Sequence, residues 1–439
     1  MRILILLFIL LPVFAFSAQT KNQENLRIKN ITAETTTMSP NSLKNLFDLK
    51  EGDIFSEKKY QKAKGKLENL KIFKTLDFLY EKKKDGIDIH IKADDRSYAL
   101  PMIFAFSSTK RAFGVSLESG NIFKRGEELS ISLGTSKKNF YAHSNCNIGK
   151  NNFYIDFNNL NFKQRFYKDG WSSMPGVYIS DDDTNKYNEN LLAEVKTKKD
   201  SFSFSYTRKI SNLWQFSITP QYEYYFYQDH ILDSGKHNNI SFAFGYTDDI
   251  DINTNMNALT RIDRRKKEYF LKNLAHIKQS KMLDLSYTAG GTWTDSDYKI
   301  QKLSLSGTYL WEFKEHHRFA LFAKGIKAFK VPFSNQVESS DLFFGLGIYD
   351  REQRGKAGLS FGLSFDYFIL KNQVGFLSLM PFYEQAYIKT LENNYNPHSG
   401  VGGILTYQFW NISMPISFNY THNLNDSSHH FGIRIGGHF

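Results

Sequence analysis

Gly358-Leu-Ser360-Phe-Gly362 fits the pattern of a nucleophile elbow, the arrangement that exposes a serine for acyl transfer. That chemistry needs the serine on a strained turn between a strand and a helix. Ser360 instead sits between Leu359 and Phe361 in an alternating run that reads as uninterrupted strand, so the match is accidental. The 12 histidines include no H-E-x-x-H. His316-His317 and His429-His430 are adjacent pairs, which on one strand point to opposite faces and chelate poorly. Cys146 is the single cysteine, which removes an intrachain disulfide and a thiolate metal centre together. The expectation is a protein that is not an enzyme, with no cofactor and no metal; a lipase or protease assembled from dispersed residues is the alternative.

Charge points to a surface and not to a reaction. The formal net charge is +11, densest at Arg264-Arg265-Lys266-Lys267, which reads as a solvated turn or loop. Such a surplus could attract nucleic acid, but the N-terminus predicts export. Arg2, the apolar run Ile3 to Phe14 and the exit Ala15-Phe16-Ser17-Ala18 form a secretory signal over residues 1–17, with cleavage after Ser17. The apolar run is too short for a transmembrane span, and no cysteine near the exit could take a lipid. An exported basic chain meets lipopolysaccharide phosphates first. Lipid is therefore an expected partner and nucleic acid is not.

The elements that position everything else are strands. Aromatic residues make up 16% of the chain, 39 Phe and 25 Tyr among them, and the mean hydropathy is polar. That combination suits a membrane barrel, whose strands show lipid only alternate side chains and whose rims are aromatic. From residue 98 the alternation recurs: Leu100 to Phe106, Phe113 to Leu117, Leu129 to Leu133, Phe202 to Tyr206, Leu303 to Trp311, Leu359 to Tyr367 and Ile412 to Tyr420. In the last segment Phe431, Ile433, Ile435, Gly437 and Phe439 alternate with His430, Arg434 and glycines. The reading is mainly β: a transmembrane antiparallel β-barrel over 98–439 with about 16 strands, or 18 if residues 250–278 form a hairpin. Residues 158–188, with Asp181-Asp182-Asp183, read as a long polar loop, and Val331 to Ala357 as another long connection.

A small domain precedes the barrel at 25–95. Leu26 and Ile28 alternate as a strand; Ser39-Pro40 starts a helix with Leu43, Leu46 and Phe47 on one face. Gly52 breaks it, as a residue free to take positive φ. Ser56 opens a second helix carrying Tyr60, Ala63, Leu67 and Leu70. Leu76, Phe78 and Tyr80, the turn Asp85-Gly86, and Ile87, Ile89 and Ile91 then form a hairpin. This βααββ order, with "LKEGDIFS", "LENLKIFKTLDF" and "GIDIHIKADD", resembles a POTRA domain.

The rest of the chain is similar to the barrels that follow POTRA domains in the BamA/TamA-type assembly proteins and two-partner secretion translocators. "ESGNIFKRGEELSISLG" resembles the N-l-x-G-x-G turn after the second strand of that superfamily. "LSFDYFIL", "LSLMPFYEQAYI", "SGVGGILTYQF", "MPISFNYTHNL" and the terminal strand follow in the order of its last five strands. Phe431, Ile433, Ile435 and Phe439 resemble the C-terminal signal of outer-membrane barrels. One departure stands out: "LFFGLGIYDREQRGKAG" has no intact [VIL]-R-G-[FY] tetrad. Arg354-Gly355 keeps the dipeptide, Arg351 is a second candidate, and Asp366 and Glu384 hold the matching acidic positions, with Ala386 in place of a glycine. The resemblance implies an arginine clamp from Arg354 or Arg351 to Asp366 and Glu384 inside the lumen.

The function it implies is insertion or translocation of polypeptides at the outer membrane. A client would be delivered by the POTRA domain in the periplasm, by strand addition at one of the outer strands, 25–31 or 76–81. A seam between the segment 100–106 and 431–439 would receive the incoming strand. The barrel assembly machinery would insert the chain itself. Two alternatives stand beside this: a dedicated two-partner secretion translocator with a plugged pore, and a structural or lipid-linked barrel that has lost insertase activity.

Overall fold

The computed structural model describes residues 26–68, 72–106, 112–136, 139–167, 171–173, 191–211, 213–228, 232, 234–247, 279–314, 317–343, 351–371, 374–390, 395–409, 416–425 and 427–435. The N-terminal unit runs β1 (Ile28–Thr35), α1 (Pro40–Leu46), α2 (Glu57–Glu68), β2 (Phe73–Lys83) and β3 (Gly86–Asp95). The sheet order is β1-β3-β2, with β1 parallel and β2 antiparallel to the central strand. The expected signals act as read. The Ser39 hydroxyl accepts from the Ser42 N–H at 3.1 Å, and Pro40 occupies the first turn of α1. Gly52 has φ +91°, and its N–H donates to the Ile28 carbonyl at 2.7 Å. Ile87, Ile89 and Ile91 on one face of β3 meet Leu43, Phe47, Tyr60 and Leu67 from the helices in one buried core.

The strands that follow are β4 (Tyr98–Phe106), β5 (Ala112–Gly120), β6 (Glu128–Ser136), β7 (Asn139–Ile148), β8 (Asn151–Tyr167), β9 (Trp171–Ser173), β10 (Leu191–Lys209), β11 (Trp214–Tyr227), β12 (Gly235–Lys236), β13 (Asn239–Thr247), β14 (Gln279–Gly290), β15 (Ile300–Lys314), β16 (His317–Lys330), β17 (Val337–Glu338), β18 (Arg351–Gly355), β19 (Ala357–Lys371), β20 (Gly375–Lys389), β21 (Tyr395–Phe409), β22 (Ile416–Asn423) and β23 (His429–Ile435), with α3 (Ser339–Leu342) between β17 and β18. Of these twenty strands the short β9, β12, β17 and β18 stand outside the main succession, which leaves sixteen among the described residues; residues 250–278, on which the alternative of 18 rests, lie outside them. The sixteen pair in antiparallel sequence, with β8 against β10, β11 against β13 and β16 against β19. The two ends meet where Phe106 faces Arg434 and Ala105 faces Ile435.

The pleat sorts the side chains as the alternation requires. Leu303, Leu305, Trp311, Leu321, Leu359 and Phe361 point outward and are exposed, whereas Ser360, Ser364, Ser378 and Thr421 point inward and are buried. An apolar outer wall around a hydroxyl-rich interior is the arrangement a barrel needs in lipid, which solvates apolar side chains and leaves backbone polar groups to neighbouring strands.

One expectation needs correction. Residues 158–167 are not loop: β8 runs to Tyr167, in continuous register with β10 from Asn151↔Arg208 to Phe166↔Ala193, with one irregularity before Leu191↔Tyr167. Its outer face carries Asn159, Asn161, Lys163 and Arg165 and its apolar residues Leu160, Phe162 and Phe166 lie on the opposite face, so it lacks the outward apolar alternation that signals a lipid-bathed strand. Ion pairs across the outer face replace it, from Lys163 (2.5 Å) and Arg165 (2.9 Å) to Glu194. Asp181 to Asp183 lie outside the described residues. The long connection expected at 331–357 holds β17, α3 and β18 among its described residues. Residues 250–278, with Arg264 to Lys267, lie outside the described residues, as do 412–415 and 436–439 with Phe439.

Candidate functional site

The two edges of the small sheet are not equivalent. Along β1 the outer edge is taken by the segment after α1: Ile28 N–H donates to Asp53 (2.9 Å), Phe55 N–H to Leu26 (2.9 Å), and Ile31 N–H to the Glu51 carboxylate (3.0 Å). Among the described residues β2 pairs only with β3, so its other edge carries backbone donors and acceptors without a strand partner. Beside that edge Leu79 is 67% exposed. Tyr80 stands against Phe55 and Tyr60, with ring centroids 5.0 and 4.9 Å away, and its hydroxyl donates to Glu57 at 2.9 Å. Burial, then the nearby Glu57 and Tyr80, push the Tyr60 hydroxyl up to about 12, which keeps this aromatic patch uncharged at any ordinary pH.

A second site joins the small domain to the barrel. The Asp95 carboxylate, 2% exposed at the end of β3, accepts from the N–H groups of Thr36 (2.8 Å), Thr37 (2.9 Å) and Met38 (2.8 Å) and from the Thr37 hydroxyl. Its fifth donor, at 2.9 Å, is the side-chain amide of Asn121 in the turn between β5 and β6. Burial works against the charge of Asp95, but the donors from Thr37, Met38 and Thr36 outweigh it and hold the carboxyl below the usual carboxylate range. Ser97, one of two residues between β3 and β4, donates its hydroxyl to the Asn121 carbonyl at 2.6 Å. In the same turn Gly126 has φ +72°, and a Cβ there would lie 2.5 Å from Leu46 Cδ1 and 3.1 Å from Met38 Cε. The barrel turn is thus seated in the core of the small domain, and only glycine fits at its contact point. The sequence marked this turn as a motif; nothing local marked Asp95 as its partner.

The third site is the connection from β16 to β19. It packs on the inward face of the barrel wall, where Val337 and Leu342 meet Ile326, Ala328, Ala386 and Ile388 in one buried cluster. Arg354 pairs with Glu338 at 2.5 Å, donates to the Phe333 carbonyl at 3.2 Å, and lies over the Phe333 ring at 4.7 Å. Asp366 stands opposite Arg318 in the β16–β19 register. Glu384 is fully buried on β20, opposite Gly362 and Gly400. Asp366 lies four residues along β19 from Gly362, about 13 Å at strand rise. The side chain of Arg351 lies outside the described residues; its backbone pairs with Ser173 of β9. Further round the wall, Lys199 pairs with Glu223 at 2.6 Å, and His237 bonds Ser334 and Asn335 of the connection, each at 2.8 Å. Ser360 lies within β19, and its hydroxyl donates to the Leu342 carbonyl at 2.7 Å, so no elbow exists there.

At the C-terminal strand Phe431 and Ile433 face outward, 77% and 46% exposed, in register with Tyr420 and Phe418. The backbone of Ile435 reaches β4. Among the described residues no three His, Cys, Asp or Glu side chains stand close enough to hold a metal ion.

Comparison with known proteins agrees with this architecture. Residues 26–94 match the family model described as POTRA, surface antigen variable number repeat. No curated protein matches the chain by sequence. Among solved structures the chain is similar to CdiB from Escherichia coli (TM-score 0.58, 12% identity, 94% of this chain and 76% of that one). It is also similar to CdiB from Acinetobacter baumannii (0.56, 12%, 94% and 74%), and to BamA from Haemophilus ducreyi lacking POTRA domains 1–3 (0.50, 12%, 95% and 85%).

Proposed function

We propose that this chain, one POTRA domain on a sixteen-stranded barrel of the BamA and CdiB fold, inserts or translocates polypeptides at the bacterial outer membrane. The POTRA domain stands in the periplasm, and the clients are polypeptides that it binds by adding a strand at β2. The observation that carries this reading is the open β2 edge, set against a β1 edge already occupied by residues 51–55. A client strand on β2 would satisfy unpaired backbone groups and cover Leu79, and this needs neither ATP nor a cofactor. The work is non-enzymatic: binding, orientation and release of an unpaired strand. β3 runs through only Arg96 and Ser97 into β4, the strand that meets β23, so the domain hands over beside the barrel's own junction. The barrel assembly machinery inserts the chain, and lipopolysaccharide surrounds its outer wall.

The folded-in connection favours one form of this activity. A dedicated translocator keeps its lumen occupied until its partner arrives, and Val331, Val337, Asp341, Leu342 and Phe343 of the connection lie against the inner wall on several strands.

A photo-crosslinking residue at Leu79 should capture client polypeptide, and the same residue at Lys29 on the occupied edge should not. Equal capture at both positions would end the β2 assignment. Depletion of the protein in its host then separates the forms: a broad fall in other barrels marks an insertase, and loss of one secreted protein marks a translocator.

A further inference from the structure

The sequence resemblance predicts a loop arginine held by barrel carboxylates. The described contacts of the connection show a contact of the opposite polarity. Asp341, in α3 of the connection, places its carboxylate 2.7 Å from the ammonium of Lys302 on β15. The ammonium of Lys324, on the neighbouring β16, donates to the main-chain carbonyl of the same residue. Both lysines are on inward-facing positions: their strand neighbours Leu303 and Leu321 point to lipid. The carboxylate also accepts the Glu338 N–H at 3.3 Å, which closes the short helical turn on itself.

We propose that Asp341 is the residue that docks this connection inside the barrel, gripped by Lys302 and Lys324. Three further contacts depend on that position. The Leu342 carbonyl accepts the Ser360 hydroxyl at 2.7 Å; the Ser339 hydroxyl accepts the Gln353 N–H at 3.1 Å; and Leu342 fills the space over Gly358. Within the connection Arg354 also holds Glu338. A carboxylate paired with the Lys302 ammonium, while Lys324 holds the carbonyl of the same residue, is attracted more strongly in a partly desolvated lumen than the same pair at an open surface. Asp341 is a positioning residue: it touches no client, and its effect on translocation runs through where the connection lies. The assignment holds whether the barrel inserts or exports, and its test does not use client transport.

The test is thiol protection in the folded, membrane-reconstituted protein. Ser339→Cys in a Cys146→Ser background places one thiol where the side chain is 1% exposed. With Asp341 in place the thiol should resist an impermeant maleimide. Asp341→Lys should raise its labelling rate by about tenfold or more, because a partly buried attraction becomes a repulsion from two lysines. Asp341→Lys combined with Lys302→Asp should restore protection. If Asp341→Lys does not fold, Lys302→Met leaves the connection untouched and should expose the thiol in the same direction. Unchanged labelling in the folded variants, or failure of the charge swap to restore protection, overturns the proposal.

Discussion

Replacing Asp95 by alanine should release the POTRA domain from the barrel without unfolding either. Asp95 accepts five hydrogen bonds, three from backbone N–H groups of residues 36–38, one from the Thr37 hydroxyl and one from Asn121. A hydrogen bond to a charged acceptor contributes about 1.5–3 kcal/mol. Those figures do not add, because water reaches some donors once the carboxylate has gone. The cost of removing one partner from a buried charged network, about 3–5 kcal/mol, is the better guide. At 1.4 kcal/mol per decade this is about 10²- to 4 × 10³-fold. The assay is amide hydrogen exchange of residues 36–38 and 121–127 in the full-length protein, read at equilibrium opening. Asp95→Ala should accelerate both segments by that factor and leave β6 and β7 unchanged. The sign of the pH effect follows from the depressed carboxyl pKa. Asp95 contributes fully above the unfolded value of about 4, and its contribution is lost as pH falls through the lower folded value. Wild-type protein should therefore keep the joint at neutral and mildly acidic pH, and Asp95→Asn should remove the acid transition. Exchange in Asp95→Ala equal to wild type would refute the reasoning.

Gly126→Ala should weaken the same joint by about 1–3 kcal/mol, from the left-handed backbone and the push on Leu46 and Met38, measured by the same exchange. Leu79→Lys should lower client capture at β2 while the thermal unfolding of the domain stays within about 0.5 kcal/mol, since Leu79 is already exposed. Gly358→Val should displace Leu342 and expose a thiol at Ser339 as the loss of Asp341 does. Leu305→Arg, on the lipid-facing side of β15, should cost up to about 2–4 kcal/mol in the denaturant midpoint of refolding into vesicles.

How far the chain's order alone reaches depends on the range of the interaction concerned. Ser39-Pro40, Gly52 and the isoleucines of β3 act within a few residues, so the βααββ unit was legible from its capping and alternation. The sixteen strands were legible because lipid on one face and water on the other impose a period of two that each strand must show by itself. The outward apolar face is lost in residues 158–167, whose outer positions are Asn159, Asn161, Lys163 and Arg165, which is why they read as loop although β10 pairs with them. The open edge of the small sheet was narrowed to two strands by topology, and only the fold of residues 51–55 across β1 left β2 as the free one. Asp95 with Asn121, and Asp341 with Lys302 and Lys324, are 26, 39 and 17 residues apart. No local pattern links such residues, because their pairing comes from the seating of one element on another and not from the propensity of either. Composition and periodicity determined that this chain is a small βααββ domain followed by a β-barrel; the tertiary structure decided which edge stays open and which charges hold the pieces together, since both depend on contacts between segments that the chain brings close only when folded.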